Sequence, residues 1–284
     1  MRDLLRPGKP IVGLLMLVFT LQSAAHEYWI EPQSYQLAPG TKLVAQLKVG
    51  QHFQGDSQVY LPANIERFQI AYGAAEPVTD VSSRIGDLPA LNQSVPLTGL
   101  ALVSLVSNIY VLEYKERGLF EKFLAYEGLE GVLDEHRRRG LPLVGFKEGY
   151  QRFAKSLVQV GGGTGEDRLL GLRFEWLLET NPYTAVDNRI QARLYWQGEP
   201  LAAAQARLFV RRAGQLEEQI LITDGDGRVQ FSPDPGSEIL LNAVQMREPS
   251  DRYLAPEGSA WISYWATTTF LLPERVPPAT RSSK

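Results

Sequence analysis

Histidine is the residue type with the most chemistry to offer here, because the sequence has only three histidines and no cysteine. A neutral imidazole binds transition metals well. A histidine at a free chain start also offers its α-amino nitrogen, which can close a chelate ring with Nδ1. The amine has an unperturbed pKa of about 7.7 to 8.0 and the imidazole one of about 6.5, so both can release protons to a metal near neutral pH. We therefore ask whether His26, His52 or His136 stands in such a position.

The residues before His26 have the pattern of a secretory signal peptide. An apolar run over residues 11–21 follows three basic residues, and these are Arg2, Arg6 and Lys9. The run has the length of a signal core, about 7 to 15 residues, and is too short to span a bilayer. Ser23 and Ala25 supply the small residues that signal peptidase requires, whereas a cut one residue earlier would place Gln22 at the upstream position. We predict cleavage after Ala25, which exposes the amine of His26 on a periplasmic protein.

Composition excludes several classes of protein. The 284 residues are 44% hydrophobic and 21% charged, which is typical of a globular protein. A net charge of -3 gives no electrostatic footprint for nucleic acid. Without cysteine the chain has no disulfide framework, no thiolate metal site, no catalytic thiol and no lipoprotein anchor. No apolar segment of the mature chain is long enough to span a membrane.

His52 is the second candidate metal ligand. Residues 43–50 alternate apolar and polar side chains, which predicts a half-buried strand, and this strand delivers His52 at its end. If this strand pairs with a strand that begins at His26, the two histidines come close together. They would then form an all-nitrogen site that suits Cu(II) or Ni(II), with Glu27, Glu31 or Glu148 as possible oxygen ligands. The alternatives are a polar residue at the start of a strand for His26 and a solvent-exposed loop histidine for His52.

The middle of the chain predicts helices. Apolar residues recur at helical spacing over 119–133, Gly128 weakens the pattern, and the basic run after His136 ends it. His136 is therefore predicted to cap the helix or to be solvated rather than to bind metal. Residues 148–157 predict a second helix, and the glycine-rich segment 161–167 predicts a hinge or a long loop.

Short strands separated by turns fill the rest of the chain, with the spacing of a β-sandwich. The predicted strands cover residues 169–178, 190–196, 206–211, 219–223, 228–232, 239–246 and 261–270. Turns are predicted at 197–200 and 224–227. The second turn has spaced aspartates, but Val229 and Pro235 stand where an EF-hand needs glycine and glutamate, so we predict a hairpin turn rather than a calcium loop.

These patterns predict a mainly β protein with three segments. Residues 1–25 form the signal peptide. Residues 26–160 form an N-terminal β-sandwich with a helical insertion at about 118–157. Residues 168–273 form a C-terminal immunoglobulin-like β-sandwich.

Several segments together resemble a bacterial periplasmic family with a domain of unknown function, DUF4198, which includes NikM-like proteins described as accessories of nickel or cobalt uptake. The resemblance lies in residues 25–32, 49–53, 150–155, 180–183, 223–231 and 243–246. It implies two immunoglobulin-like sandwich domains, a divalent transition metal (nickel, cobalt or copper), and a membrane metal transporter as partner. In the family a histidine often precedes the methionine of the last segment. This chain has Gln245 there, which implies fewer or different ligands.

Three functions are compatible with these features. The first is a non-enzymatic periplasmic protein that binds or delivers a transition metal through His26 and His52. The second is an envelope adaptor or binding module without metal, since a sandwich fold does not fix function. The third is a copper mono-oxygenase that builds a histidine brace on His26. Hydrolase motifs such as Gly-x-Ser-x-Gly and His-Glu-x-x-His are absent from the sequence. We expect the first function.

Overall fold

The structure is a computed structural model that describes residues 26–72, 75–162, 164–249, 256 and 258–274. The predicted signal peptide lies outside these described residues. The chain is mainly β and rich in sandwich-like sheet packing, as the sequence predicts. Among the described residues, no helix combines the length and the apolar character needed to cross a membrane.

The elements follow one another in this order: β1 (Glu27–Pro32), β2 (Gln36–Leu37), β3 (Lys42–Gln51), β4 (Gln54–Gln58), β5 (Ile65–Tyr72), β6 (Ala75–Asp80), β7 (Leu91–Ser94), β8 (Gly99–Ser107), β9 (Tyr110–Tyr114), α1 (Leu119–Glu127), α2 (Glu130–Arg138), β10 (Phe146–Val160), β11 (Phe174–Leu178), β12 (Ile190–Trp196), β13 (Glu199–Pro200), β14 (Gln205–Arg212), β15 (Gln215–Ile222), β16 (Arg228–Phe231), β17 (Ser237–Arg247) and β18 (Ser259–Leu272). The predicted strands at 43–50, 190–196, 206–211, 239–246 and 261–270 are confirmed.

One ten-stranded sheet runs through both halves of the chain, in the order β15-β14-β17-β18-β10-β8-β5-β6, with β2 and β9 paired to β10. A four-stranded sheet of β1, β3, β4 and β7 covers an N-terminal core on it, and a second four-stranded sheet of β11, β12, β13 and β16 covers a C-terminal core. Strands β10 and β18 pair in parallel from Glu148–Trp261 to Ser156–Thr269. The ten-stranded sheet therefore crosses the predicted domain boundary, and the boundaries at 26–160 and 168–273 stay predictions.

The predicted helix at 148–157 is wrong, because these residues lie inside strand β10. Nearly every residue of this strand is buried, since neighbouring strands and layers cover both of its faces. A strand buried on both faces loses its alternation of apolar and polar side chains. Polar residues such as Gln151 and Lys155 then recur at a spacing that imitates an amphipathic helix. The helical insertion is correspondingly short and consists of α1 and α2.

Both short helices fall where the first helical pattern predicts them. Gly128, with φ of +69°, ends α1 in the left-handed conformation, and its N–H donates to the carbonyl oxygen of Leu124. Glycine adopts this conformation without steric cost, which explains why the pattern breaks there.

His136 is fully buried, so the prediction that it is a capping or solvated residue is wrong. Its Nδ1 accepts a hydrogen bond from Nε1 of Trp261 at 2.9 Å, and its Nε2 lies 2.9 Å from the carbonyl oxygen of Pro142. The ring also packs against Phe120 and Phe146. Arg137 and Arg138 are exposed, as the basic run predicts, but His136 lies on the face of α2 that packs on β18.

The glycine-rich segment is part of a loop that joins β10 to β11. Asp167 in this loop forms a buried ion pair with Lys155 of β10, with Nζ–Oδ distances of 2.9 and 2.7 Å. The turn at 224–227 is also confirmed, because the N–H of Gly227 donates a hydrogen bond to the carbonyl oxygen of Asp224. It is not a hairpin turn, however, because β15 and β16 belong to different sheets.

Candidate functional site

Strand β1 separates two environments because its side chains alternate between two faces. Tyr28 and Ile30 pack into the N-terminal core. On the other face, Trp29 packs with Phe53 and Phe209, and Glu31 forms an ion pair with Arg211. Strand β14 thus presents a series that matches this face of β1: Arg207, Phe209 and Arg211 lie opposite Glu27, Trp29 and Glu31. The candidate site lies around the first pair of this series, Glu27 and Arg207.

His52 reaches this site from a two-residue turn between β3 and β4, as the sequence predicts for a residue at the end of the strand. Both turn residues have the left-handed backbone conformation, with φ of +52° for His52 and +56° for Phe53. This conformation costs a non-glycine residue about 1 kcal/mol or more. Burial of the Phe53 ring against Trp29 offsets that cost, with ring centroids 5.5 Å apart. The anchored turn holds Nδ1 of His52 3.1 Å from a carboxylate oxygen of Glu218.

Three carboxylates, one arginine and one histidine meet here, and we call them the Glu27 cluster: Glu27, His52, Glu127, Arg207 and Glu218. Arg207 of β14 contacts Glu218 of β15 directly, and its Nε lies 3.9 Å from Glu127 at the end of α1. The Arg207 guanidinium also stacks on the ring of Tyr126, 3.3 Å from its centroid, and donates to the Tyr126 carbonyl oxygen. These contacts fix the guanidinium among the carboxylates.

Glu27 is the least satisfied member of the Glu27 cluster. Its side chain is only 1% exposed, and neither carboxylate oxygen has a hydrogen-bond partner among the described residues. Burial raises the pKa of Glu27 to about 7, although its own backbone N–H and the charges of His52 and Arg207 oppose this effect. Burial and the neighbouring Glu27 raise the pKa of Glu127 to about 8. When ionised, the three carboxylates have more negative charge than Arg207 balances, and the raised pKa values of Glu27 and Glu127 favour their protonated forms near neutral pH.

His26 lies on the other side of β1 from the Glu27 cluster. Its carbonyl oxygen accepts a hydrogen bond from Nη2 of Arg152, and its Nδ1 is buried without a hydrogen-bond partner in the described part of the chain. Burial and the positive charge of Arg152 lower the pKa of His26. Among the described residues no hydrogen bond or ring contact joins His26 to His52. The metal site predicted from this pair stays a prediction.

The other predicted oxygen ligands lie apart from His52. Glu31 is held by Arg211 at 2.6 Å and lies 3.7 Å from Lys48. Glu148 is fully buried in β10 and accepts hydrogen bonds from Tyr114 and Ser263. Burial raises the pKa of Glu148 to about 7. Only Glu27 of the three predicted carboxylates contributes to the charge around His52.

The donor types of the Glu27 cluster fit a transition metal better than their arrangement does. Imidazole and carboxylate groups bind nickel, cobalt and copper, and the two oxygens of Glu27 are buried without partners. Within the described residues, however, no three or more histidine, aspartate or glutamate side chains are already arranged to hold a metal ion. Arg207 contacts both Glu127 and Glu218, so a third ligand becomes available only when one of these contacts is given up.

Glu127, Arg207 and Glu218 are not among the residues that the sequence predicts for the site. They come from three elements that are distant in the sequence, and only the packing of α1 against the β14-β15 hairpin brings them together. One signal was present: Arg207 stands among the apolar residues Ala206, Leu208 and Phe209 of β14 and is itself buried. A charged residue at a buried strand position requires a partner, although its identity cannot be deduced from β14 alone.

The fold and the cluster together define a mainly β, sandwich-rich protein with a partly buried acidic site beside strand β1. The chain belongs to the DUF4198 family, a domain of unknown function, whose sequence profile matches residues 23–247. A comparison with curated proteins gives no match.

Three solved structures show weak likeness to the chain. Salmonella alpha-2-macroglobulin reacted with methylamine is 12% identical with a TM-score of 0.20, and the match covers 88% of this chain and 15% of that one. Escherichia coli alpha-2-macroglobulin activated by porcine elastase is 11% identical with a TM-score of 0.21, over 88% and 20% of the two chains. A tetra-tandem repeat in the extending region of a large adhesion protein is 10% identical with a TM-score of 0.19, over 87% and 50%. TM-scores of this size support no conclusion about function.

Proposed function

We propose that this protein is a non-catalytic, transition-metal-binding protein of the periplasm, accessory to nickel, cobalt or copper uptake or delivery. The observation that carries the proposal is the carboxylate of Glu27, which is buried without a hydrogen-bond partner in the described part of the chain and lies in the electrostatic range of His52. The resemblance to NikM-like proteins supports the same class of function, with a membrane metal transporter as the partner.

Charge balance explains why a cation suits this position. When its three carboxylates are ionised, the Glu27 cluster has two more negative charges than Arg207 can balance. Buried charges without partners are costly, so a divalent cation that balances them binds favourably. His52 and Glu27 are the first two ligands, and Glu127 or Glu218 completes the set by exchanging its contact with Arg207 for the metal.

His26 is a separate part of the proposal. After cleavage behind Ala25, its amine and imidazole form a chelating pair on the opposite face of β1. The lowered pKa of His26 favours the neutral imidazole, which is the form that binds metals. The positive charge of Arg152 opposes a cation at that position, so the two faces need separate tests.

Titration calorimetry with Ni(II), Co(II) and Cu(II) tests the Glu27 cluster. We expect Glu27→Gln and His52→Ala to weaken binding by about tenfold or more, because each removes a ligand. The matched control is Glu217→Gln, since Glu217 is exposed on the same strand as Glu218 and outside the cluster. Wild-type affinity in both cluster variants would overturn the proposal. Equal binding by His26→Ala would remove His26 from the site and leave the cluster in place.

N-terminal sequencing of the protein recovered from the periplasm tests its export and processing. We expect the mature chain to begin at His26, with a free amine. A mature chain that begins at another residue would remove the chelate on His26. Recovery of the protein only from the cytoplasm would overturn the periplasmic location.

A further inference from the structure

Arg152 is a second buried charge that the proposed metal site does not use. It lies on β10, the central strand of the ten-stranded sheet, and is only 8% exposed. Its Nη2 donates to the carbonyl oxygen of His26 at 3.3 Å. Its Nε is buried and has no hydrogen-bond partner among the described residues. This guanidinium is therefore removed from water with part of its hydrogen-bonding capacity unused.

Aromatic rings surround Arg152 where acidic groups would be expected. The guanidinium carbon lies 4.8 Å from the centroid of the Tyr150 ring and 5.5 Å from that of Tyr28. Tyr110 stacks on Tyr150, with centroids 5.3 Å apart. Among the described residues, Arg152 forms no ion pair with a carboxylate, and the titratable groups that influence its pKa are these three tyrosines. We call Arg152, His26, Tyr28, Tyr110 and Tyr150 the Arg152 face.

The nearest acidic side chain in the hydrogen-bond network serves a different residue. Glu66 accepts a hydrogen bond from the side chain of Gln151 at 2.8 Å. Gln151 precedes Arg152 on β10, so its side chain points to the opposite face of the strand. Glu66 therefore does not balance the charge of Arg152.

Such an environment is unfavourable for a cation but suits one that receives an anion. An arginine removed from water without a counter-ion loses much of its hydration free energy. Cation–π contacts with tyrosine rings return only a small part of that loss. A carboxylate or phosphate group instead matches the planar N–H fork of a guanidinium with short, charge-assisted hydrogen bonds. The hydroxyl groups of Tyr28 and Tyr150 form no hydrogen bond to described residues and can donate to the same anion.

We propose that the Arg152 face binds the oxyanion group of a small molecule, a carboxylate or a phosphate, between Tyr28 and Tyr150 and beside His26. The guanidinium supplies the positive charge and the planar N–H donors, and the tyrosine rings hold the guanidinium in position. This site is independent of the Glu27 cluster, because β1 lies between the two, and it shares only His26 with the metal proposal.

Thermal unfolding of the purified protein in increasing sodium acetate or sodium phosphate tests this proposal, with sodium chloride at equal ionic strength as the reference. We expect one of the two oxyanions to raise the unfolding temperature in a saturable manner that chloride does not reproduce. Saturation by acetate alone identifies a carboxylate ligand, and saturation by phosphate alone identifies a phosphate ligand. Equal curves for all three salts would overturn the proposal.

Variants assign the effect to Arg152. Arg152→Met should abolish the saturable rise, whereas Arg84→Met, which changes an exposed arginine, should leave it intact. Arg152→Lys keeps the charge without the fork and should weaken binding about tenfold. Tyr150→Phe keeps the ring without the hydroxyl group and should weaken it about threefold. If Arg152→Met does not fold, the lysine and phenylalanine variants still decide: wild-type binding by both would contradict the proposed site.

Discussion

On one face of strand β1, Glu27 lies with Glu127 and Glu218 around the guanidinium of Arg207. On the other face Arg152 lies among tyrosine rings, and no carboxylate of the described residues pairs with it. The acidic groups on one side of β1 are partly buried, and the positive charge on its other side is buried. The difference arises from alternation, since neighbouring residues of a strand point to opposite faces. The charge balance of the two faces of a strand must therefore be considered separately. The same substitution should therefore have opposite effects on the two sides.

The largest effect is expected for Arg207→Met. This change removes the positive charge that contacts Glu127 and Glu218 while keeping much of the side-chain volume. We expect the free energy of unfolding to fall by about 2 to 3 kcal/mol at pH 7, because the charge-assisted contact with Glu218 and the hydrogen bond to the Tyr126 carbonyl oxygen are lost. Urea denaturation measures this change. A loss below about 1 kcal/mol would show that the carboxylates do not depend on Arg207.

The pH dependence of stability should come from the Glu27 cluster and from Glu148. Because folding raises the pKa of Glu127 to about 8, the folded protein binds more protons than the unfolded one between about pH 5 and 8. Stability is therefore expected to fall as the pH rises through this window. Glu127→Gln should flatten the slope by up to about 1.4 kcal/mol per pH unit.

Urea denaturation at pH 5, 6, 7 and 8, for wild type and variants, measures this slope. Arg84→Met is the control, and it should keep the wild-type slope because Arg84 is exposed, lies outside the cluster and does not titrate in this range. An unchanged slope in Glu127→Gln would be inconsistent with the raised pKa of that residue.

Arg152→Met should have a smaller effect of the opposite sign to that of Arg207→Met. Without a bound anion, the guanidinium is a buried charge with no carboxylate partner in the described part of the chain. We expect its replacement by an apolar side chain to raise the free energy of unfolding by about 1 kcal/mol in chloride buffer. Chemical denaturation of the two methionine variants side by side gives the comparison. Equal destabilisation in both would mean that the two faces do not differ in charge balance.

The smallest structural effect is expected for His52→Gly. Glycine relieves the left-handed strain at φ +52°, which compensates for the lost contact between His52 and Glu218. We expect the unfolding free energy to change by less than about 0.5 kcal/mol while Ni(II) affinity falls with the lost ligand. Denaturation and metal titration on the same sample separate the two effects. A large loss of stability would instead assign His52 a structural role.

The sequence alone revealed the parts of this arrangement that depend on local patterns. Alternation in β3 predicted that His52 stands at the end of a strand, and the sandwich-like spacing of the later strands was correct. Burial on both faces concealed the strand character of β10, so 148–157 was predicted as a helix and Arg152 was missed. The basic run beside His136 concealed the burial of that histidine.

The Glu27 cluster depended on tertiary packing that no local pattern encodes. Glu27 was noted as a possible ligand because it adjoins His26 in sequence, yet its side chain lies on the face of His52. Glu127 ends a helix, Arg207 and Glu218 come from a distant hairpin, and each has an ordinary local role there. The packing of α1 against the β14-β15 hairpin brings these three together, and β1 adds Glu27 to them.

The most direct test of the central claim is an equilibrium titration of Ni(II) into three proteins under identical conditions: wild type, Glu27→Gln and Arg152→Met. If the acidic face binds the metal, Glu27→Gln weakens binding by about tenfold or more, whereas Arg152→Met stays within about twofold of wild type. If Glu27→Gln binds Ni(II) as tightly as wild type, the acidic face is not the metal site.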